Sequence, residues 1–115
     1  MKTCGYRSGV AAALMLLAGG AFAGSPETRI ELANMVLQDC GSCHGMTMKG
    51  GLGPPLRPDD LRQQSVEGIA AIIKEGVDGT AMPRWKPLLT DEQILWISRQ
   101  LKSGALLTDE TKDAQ

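Results

Sequence analysis

The chain has 115 residues, with 12 basic and 13 acidic side chains for a formal charge of −1 and an aromatic content of 3%. That length makes one domain, and the slightly acidic balance lacks the basic surface on which nucleic-acid binding depends, so nucleic acid is not expected as a partner. With so few aromatic side chains, a domain this small is short of bulk for its own core, and another group is expected to help fill it.

Residues 1–23 read as an export signal. Lys2 and Arg7 make the basic start, Val10 to Leu17 the apolar centre, and Ala21-Phe22-Ala23 the cleavage site. Gly19 and Gly20 interrupt the apolar run and leave it too short to cross a bilayer, so cleavage and release into the periplasm are expected, with no membrane anchor kept. Cys4 precedes the apolar run, which argues against lipid attachment, and cleavage removes it. Trp85 and Trp96 are then the remaining aromatics.

In the domain that follows, residues 24–107, Ile30, Leu32, Ala33, Val36 and Leu37 recur at helical spacing and predict a helix from Thr28 to about Asp39, with Glu27 and Glu31 favourably placed at its start. Gly45, Gly50, Gly51 and Gly53 with Pro54, Pro55 and Pro58 make the next stretch a loop. "PDDLRQQ" allows a short helical turn, after which Ser65 caps a helix over Val66 to Glu75 that Gly76 ends. Another Gly- and Pro-punctuated loop follows, and Thr90-Asp91-Glu92-Gln93 is a capping box for a last helix, with Ile94, Leu95, Ile97 and Leu101 on its buried side and Gly104 as its stop. Residues 108–115 are polar and read as a disordered tail. The fold class is all-α: three main helices and two loops too long for so small a domain unless they wrap something.

Cys40-Gly41-Ser42-Cys43-His44 holds two of the three cysteines and the only histidine. A disulfide from Cys40 to Cys43 would close a tiny loop and constrain nothing distant. Zinc takes four ligands in a structural site, and residues 24–115 contain no further Cys or His. A thioredoxin-like dithiol belongs to a βαβ context that the helical pattern lacks. Two cysteines three apart on a helical turn face one side, with the histidine in reach of the same object. CxxCH is the attachment sequence of haem c: Cys40 and Cys43 form the thioethers and His44 binds the iron.

With no second histidine, methionine is the remaining familiar axial ligand. Met46 and Met48 follow His44 too closely to reach the opposite face, and Met35, in the preceding helix, reads as packing. Met82, in the irregular loop before the last helix, is the candidate by elimination. The other ring nitrogen of His44 needs a hydrogen bond to fix its tautomer, and the turn Gly53-Pro54-Pro55 offers the Pro54 carbonyl.

In "CGSCH", "GPPL" and "TAMP" before a capped last helix, in that order, the chain resembles the small class I c-type cytochromes over about Thr28 to Gly104. The resemblance implies the class I cytochrome c fold, three main helices and long loops wrapped around one covalent haem, with Cys40, Cys43, His44, the Pro54 carbonyl and Met82 in the roles above. It adds Leu56, packed on the haem. More narrowly, "DCGSCHGMTMKGGLGPPL" with "AMPRWKPLLTDEQILWI" looks like the c55X cytochromes of denitrification gene clusters. That implies redox partner proteins, namely a haem d-containing nitrite reductase and an upstream quinol-oxidising cytochrome complex, and a monomer. One departure is that class I members often carry an aromatic near the position of Gln100, packing the last helix on the first, whereas here Trp96 lies one turn earlier.

These residues favour an electron-transfer protein over an enzyme, since iron held by His44 and Met82 leaves no vacancy for substrate. Two alternatives are an accessory factor in haem d maturation and a ligand-binding haem sensor with a labile Met82. Met46, Met48 and Leu52 are expected at an exposed haem edge, with Lys49 orienting a partner. Trp85 and Arg84, next to Met82, read as donors to a haem propionate, or in the case of Trp85 as packing against the haem.

Overall fold

The structure, a computed structural model, describes residues 28–107. The export signal at 1–23 and the tail at 108–115 lie outside the described residues.

Thr28 opens the first helix with a reciprocal cap. Its Oγ1 accepts from the Glu31 N–H at 3.1 Å while its own N–H donates to Glu31 Oε2 at 3.0 Å, satisfying donors that the first turn of a helix leaves without partners. Helix α1, Arg29–Met35, passes through a π-helical turn, Val36–Cys40, into α2, Gly41–His44. The periodicity predicts a stop near Asp39. The chain instead stays helical to His44, because one glycine at 41 does not break a helix and the first left-handed position is Gly45, at φ 88°. The π turn carries one extra residue, which rotates all that follows by about 100° relative to an unbroken helix. Leu32, Val36, Cys40 and Cys43 would share one stripe of a regular α-helix. After the π turn, Leu32 and Val36 stay in the core while Cys43 and His44 swing toward a cavity.

Pro58 begins the short helix α3, Pro58–Leu61, at a position where its missing N–H is no loss. Ser65 caps α4, Val66–Glu75, by accepting from the Gly68 N–H at 3.0 Å. Thr90 and Gln93 form the capping box of α5, Asp91–Ser103, with bonds of 3.2 and 2.9 Å, and Gly104 closes that helix in the left-handed conformation at φ 70°. Among the described residues all regular elements are helical, and no helix is long and apolar enough to cross a membrane.

α5 lies against α1, α3 and α4. Its Ile94, Ile97 and Leu101 join Leu32 and Val36 from the first helical stretch, Leu61 of α3, and Ile69 and Ile73 of α4 in one buried cluster. Ser98, wholly buried among them, donates its hydroxyl to the Ile94 carbonyl at 2.8 Å and so brings no unpaired donor into the core. Trp96 packs at the edge of this cluster, with the Arg29 guanidinium 5.0 Å from its ring centroid and the Glu92 carboxylate 3.7 Å from Arg29. The first and last helices therefore do meet through an aromatic, one turn before Gln100, as a cation–π contact rather than ring packing. Lys74 and Asp91 join α4 to α5 at 2.7 Å, but both are solvent-exposed and contribute little.

Ile97→Ala should destabilise the folded protein by about 2–5 kcal/mol through the cavity it leaves. Leu88→Ala, at a residue 55% exposed, should stay within about 0.5 kcal/mol. Guanidinium denaturation of the purified protein measures both.

Candidate functional site

Helix α2 ends with carbonyls that lack intrahelical partners. The loop after it turns back to supply donors: Gly50 N–H reaches the His44 carbonyl and Gly53 N–H the Cys43 carbonyl, both at 2.8 Å. That return path lays the loop along the imidazole. His44 Nδ1 lies 2.7 Å from the Pro54 carbonyl oxygen; a carbonyl only accepts, so Nδ1 carries the proton and Nε2 keeps its lone pair. Gly53 makes the approach possible, since a Cβ there would stand 2.7 Å from His44 Cε1 and 2.8 Å from Nδ1. Sequence reasoning selected Pro54 but gave Gly53 no role beyond the turn. A glycine directly before the supporting carbonyl is the signal that could have found it.

The loop carrying Met82 is built in the same way on the end of α4. Trp85 N–H donates to the Ile73 carbonyl at 3.2 Å and Lys86 N–H to the Lys74 carbonyl at 3.3 Å, while Arg84 Nε donates to the Glu75 carbonyl at 3.2 Å. Within the loop, Val77 N–H reaches the Met82 carbonyl at 3.2 Å, and Thr80 Oγ1 accepts from the Met82 N–H at 3.2 Å while donating to the Val77 carbonyl at 2.7 Å. Gly76, at φ 68°, lets the strand of chain bearing Met82 pass within 2.8 Å of where a Cβ would sit.

Between these loops lies a cavity of about 400 Å³, within the range of cofactor sites. Cys40, Cys43, His44, Pro54, Leu56, Met82 and Trp85 all line it. The rest of the wall is largely aliphatic: Ile69, Ile72 and Ile73 from α4, Leu61 from α3, Leu101 from α5, and Leu52 and Val77 at the mouth. Leu52 is 78% and Ile72 43% exposed. The α4 isoleucines are legible in the sequence only as a core face, since periodicity shows which side is apolar and not what covers it.

Other expectations come out differently. Of Met35, Met46, Met48 and Met82, only Met82 lines the cavity. Met48 is not at an exposed edge: it is 1% exposed and part of the core, held at φ 58° by a turn in which its N–H meets the Gly45 carbonyl and its carbonyl the Leu56 N–H, each at 2.9 Å. Met46 is exposed and lies over Gly41. Arg84 does not point to the cavity as a free donor, because its guanidinium is taken up by Asp78 at 3.0 Å and by the Glu75 carbonyl.

Cys40 and Cys43 are free thiols. Burial, and after it the Asp39 carboxylate next in the chain, push the Cys40 thiol up to about 11. It therefore stays protonated at neutral pH, and the thiolate that disulfide exchange requires is scarce. Among the described residues no three His, Cys, Asp or Glu side chains converge to hold a metal ion. A largely aliphatic cavity with two thiols and one available imidazole nitrogen on its wall fits a metal that arrives in its own macrocycle, as in haem c.

Residues 30–99 match the family described as cytochrome C oxidase, cbb3-type, subunit III. Cytochrome c55X of Paracoccus denitrificans (strain Pd 1222) is 49% identical over 90 residues, spanning 76% of this chain and 87% of the relative. Cytochrome c55X of Stutzerimonas stutzeri is 41% identical over 100 residues, spanning 85% and 88%. Among solved structures, the c-type cytochrome NirC aligns with a TM-score of 0.68 and 39% identity, over 72% of this chain and 100% of its own.

Gly53→Ala should push the imidazole or the loop aside and cost about 1–3 kcal/mol as the Nδ1 bond is lost, read as a lower thermal midpoint of the haem-loaded protein. Pro54→Ala keeps the backbone carbonyl and should move that midpoint much less.

Proposed function

The chain belongs to the class I c-type cytochromes, among the cytochromes c55X, and from that membership we propose that it is a periplasmic one-electron carrier in which His44 and Met82 would hold the haem iron, donating electrons to a haem d-containing nitrite reductase. Its cofactor is covalent haem c and it is an electron-transfer protein. When bound, the haem supplies a one-electron iron couple.

The observation that carries the assignment of ligands is that His44, at the end of α2, and Met82, on the loop tied to the end of α4, both line one cavity. In this reading the Cys40 and Cys43 sulfurs anchor the cofactor so that it cannot dissociate. His44 presents Nε2, its tautomer set by the Pro54 carbonyl. Met82 brings a thioether sulfur, a soft neutral ligand that favours the ferrous state. Leu56, Trp85 and the α4 isoleucines exclude water from the cavity, which also disfavours the extra positive charge of the ferric state. The exposed Leu52 and Ile72 at the mouth give a partner an apolar surface on which to dock. The link to nitrite reduction and to an upstream quinol-oxidising cytochrome complex rests on the likeness to cytochromes c55X, and the periplasmic location on that likeness together with the signal-like start of the sequence.

Met82→Ala should abolish the weak sulfur-to-iron charge-transfer band of the ferric protein and lower its reduction potential, with haem still covalently attached in a pyridine haemochrome assay. A wild-type ferric spectrum lacking that band would remove Met82 as ligand. For the partner, stopped-flow mixing of the reduced protein with haem d-containing nitrite reductase should show second-order oxidation of the cytochrome. No transfer at micromolar concentrations would eliminate that enzyme as the acceptor.

A further inference from the structure

The floor of the cavity is secured by a side chain that is not part of it. Helix α3 is a single turn, and the carbonyls at its end and just beyond have too few amide donors of their own. Lys102, on the last turn of α5, fills the deficit: its ammonium donates to the carbonyls of Leu61 at 3.0 Å, Arg62 at 3.1 Å and Gln64 at 2.6 Å. These use all three of its N–H donors. Among the described residues it forms no ion pair with a carboxylate, unlike Lys74 and Lys86, which pair with Asp91 and Glu75. Leu61 and Gln64, two of the three residues it holds, line the cavity, and so does Leu101, its neighbour on α5. Within the chain, the Leu61 carbonyl to Gln64 N–H bond at 3.0 Å, the Arg57 carbonyl bonds to Asp60 and Leu61, and the Arg57 N–H to Asp60 carboxylate bond at 3.3 Å also close this turn.

We propose that Lys102 is a positioning residue of the haem site: acting through the three carbonyls, it seats the end of α3 against the cavity so that the buried Leu61 closes that side to water. The assignment rests on the haem-pocket reading above. An ammonium bound to several carbonyls at a helix end is favoured by the helix dipole as well as by the bonds themselves. The two cavity residues it governs lie far from it in sequence, so no pattern local to α3 reveals the dependence.

The test uses the haem-loaded protein with Lys102→Met, Lys102→Arg and Lys102→Gln, comparing the midpoint potential with amide hydrogen exchange at Leu61 and Gln64. In Lys102→Met the turn loosens, exchange at both amides should rise about tenfold, and water at the cavity should shift the one-electron equilibrium toward ferric iron by about three- to tenfold, tenfold being about 59 mV. Lys102→Arg, which keeps the charge and offers several donors, should restore both quantities most of the way. Lys102→Gln, neutral but still a donor, should be intermediate in exchange, and it takes the place of Lys102→Met if that variant does not accumulate. A changed potential with unchanged exchange would mean a bare charge effect and overturn the proposal, as would unchanged values of both or failure of the arginine variant to restore either. The ferric charge-transfer band of the wild type reports independently on the His44 and Met82 ligation, so failure of that reading shows in the unmutated protein.

Discussion

A helix that ends inside a small domain leaves its last carbonyls in need of donors, and meeting that need shapes the site. On α2 the donors are Gly50 and Gly53; on α4 they are Trp85, Lys86 and the Arg84 side chain. Each return brings a candidate axial ligand with it: the first loop closes around His44, and the second carries Met82 to the facing wall. The loops are long and glycine-rich yet ordered, because backbone bonds tie them to the helix ends as well as closing turns within them. Position in the site therefore follows from main-chain chemistry, and the side chains are left free to serve the cofactor.

The cavity is hydrophobic for a reason that complements this. Polar groups near it are committed elsewhere: Arg84 to Asp78, Lys86 to Glu75, Lys102 to the end of α3. What remains on the wall is mostly aliphatic, and burial keeps the Cys40 thiol neutral. A low-polarity surround and the neutral thioether proposed for Met82 would both bias an iron centre toward its reduced form.

Much of this was legible in the sequence, and the omissions share one cause. The capping box at Thr90 and the cap at Ser65, the stops at Gly76 and Gly104, and the CxxCH pattern at Cys40 to His44 depend on residues a few positions apart, which is the range over which local chemistry speaks. Met82 is singled out by elimination because no second histidine competes, and the structure places it on the cavity wall. The π turn at Val36–Cys40 was not legible, since its residues suit an ordinary helix and only the competing demands of core and cavity require the extra residue. The burial of Met48 was missed because "MTMKGG" reads as surface loop until the Gly45 and Leu56 bonds fold it inward. Nor does the sequence near Gln100 show that Trp96 meets Arg29 across the helix crossing, because that contact depends on the angle between two helices.

The π turn also makes the length of this segment matter more than its composition. Between Val36 and Cys40 the chain keeps two appointments, one with the core upstream and one with the cavity downstream, and the single surplus residue is what reconciles their phases. Of the side chains there, Gln38 faces neither the core nor the cavity and can vary so long as it favours a helix. Removing one residue would leave a more regular helix with every contact of α1 intact, and would turn the attachment motif back toward the core. Natural variation in this stretch should accordingly take the form of substitution, with the spacing from Leu32 to Cys40 held constant.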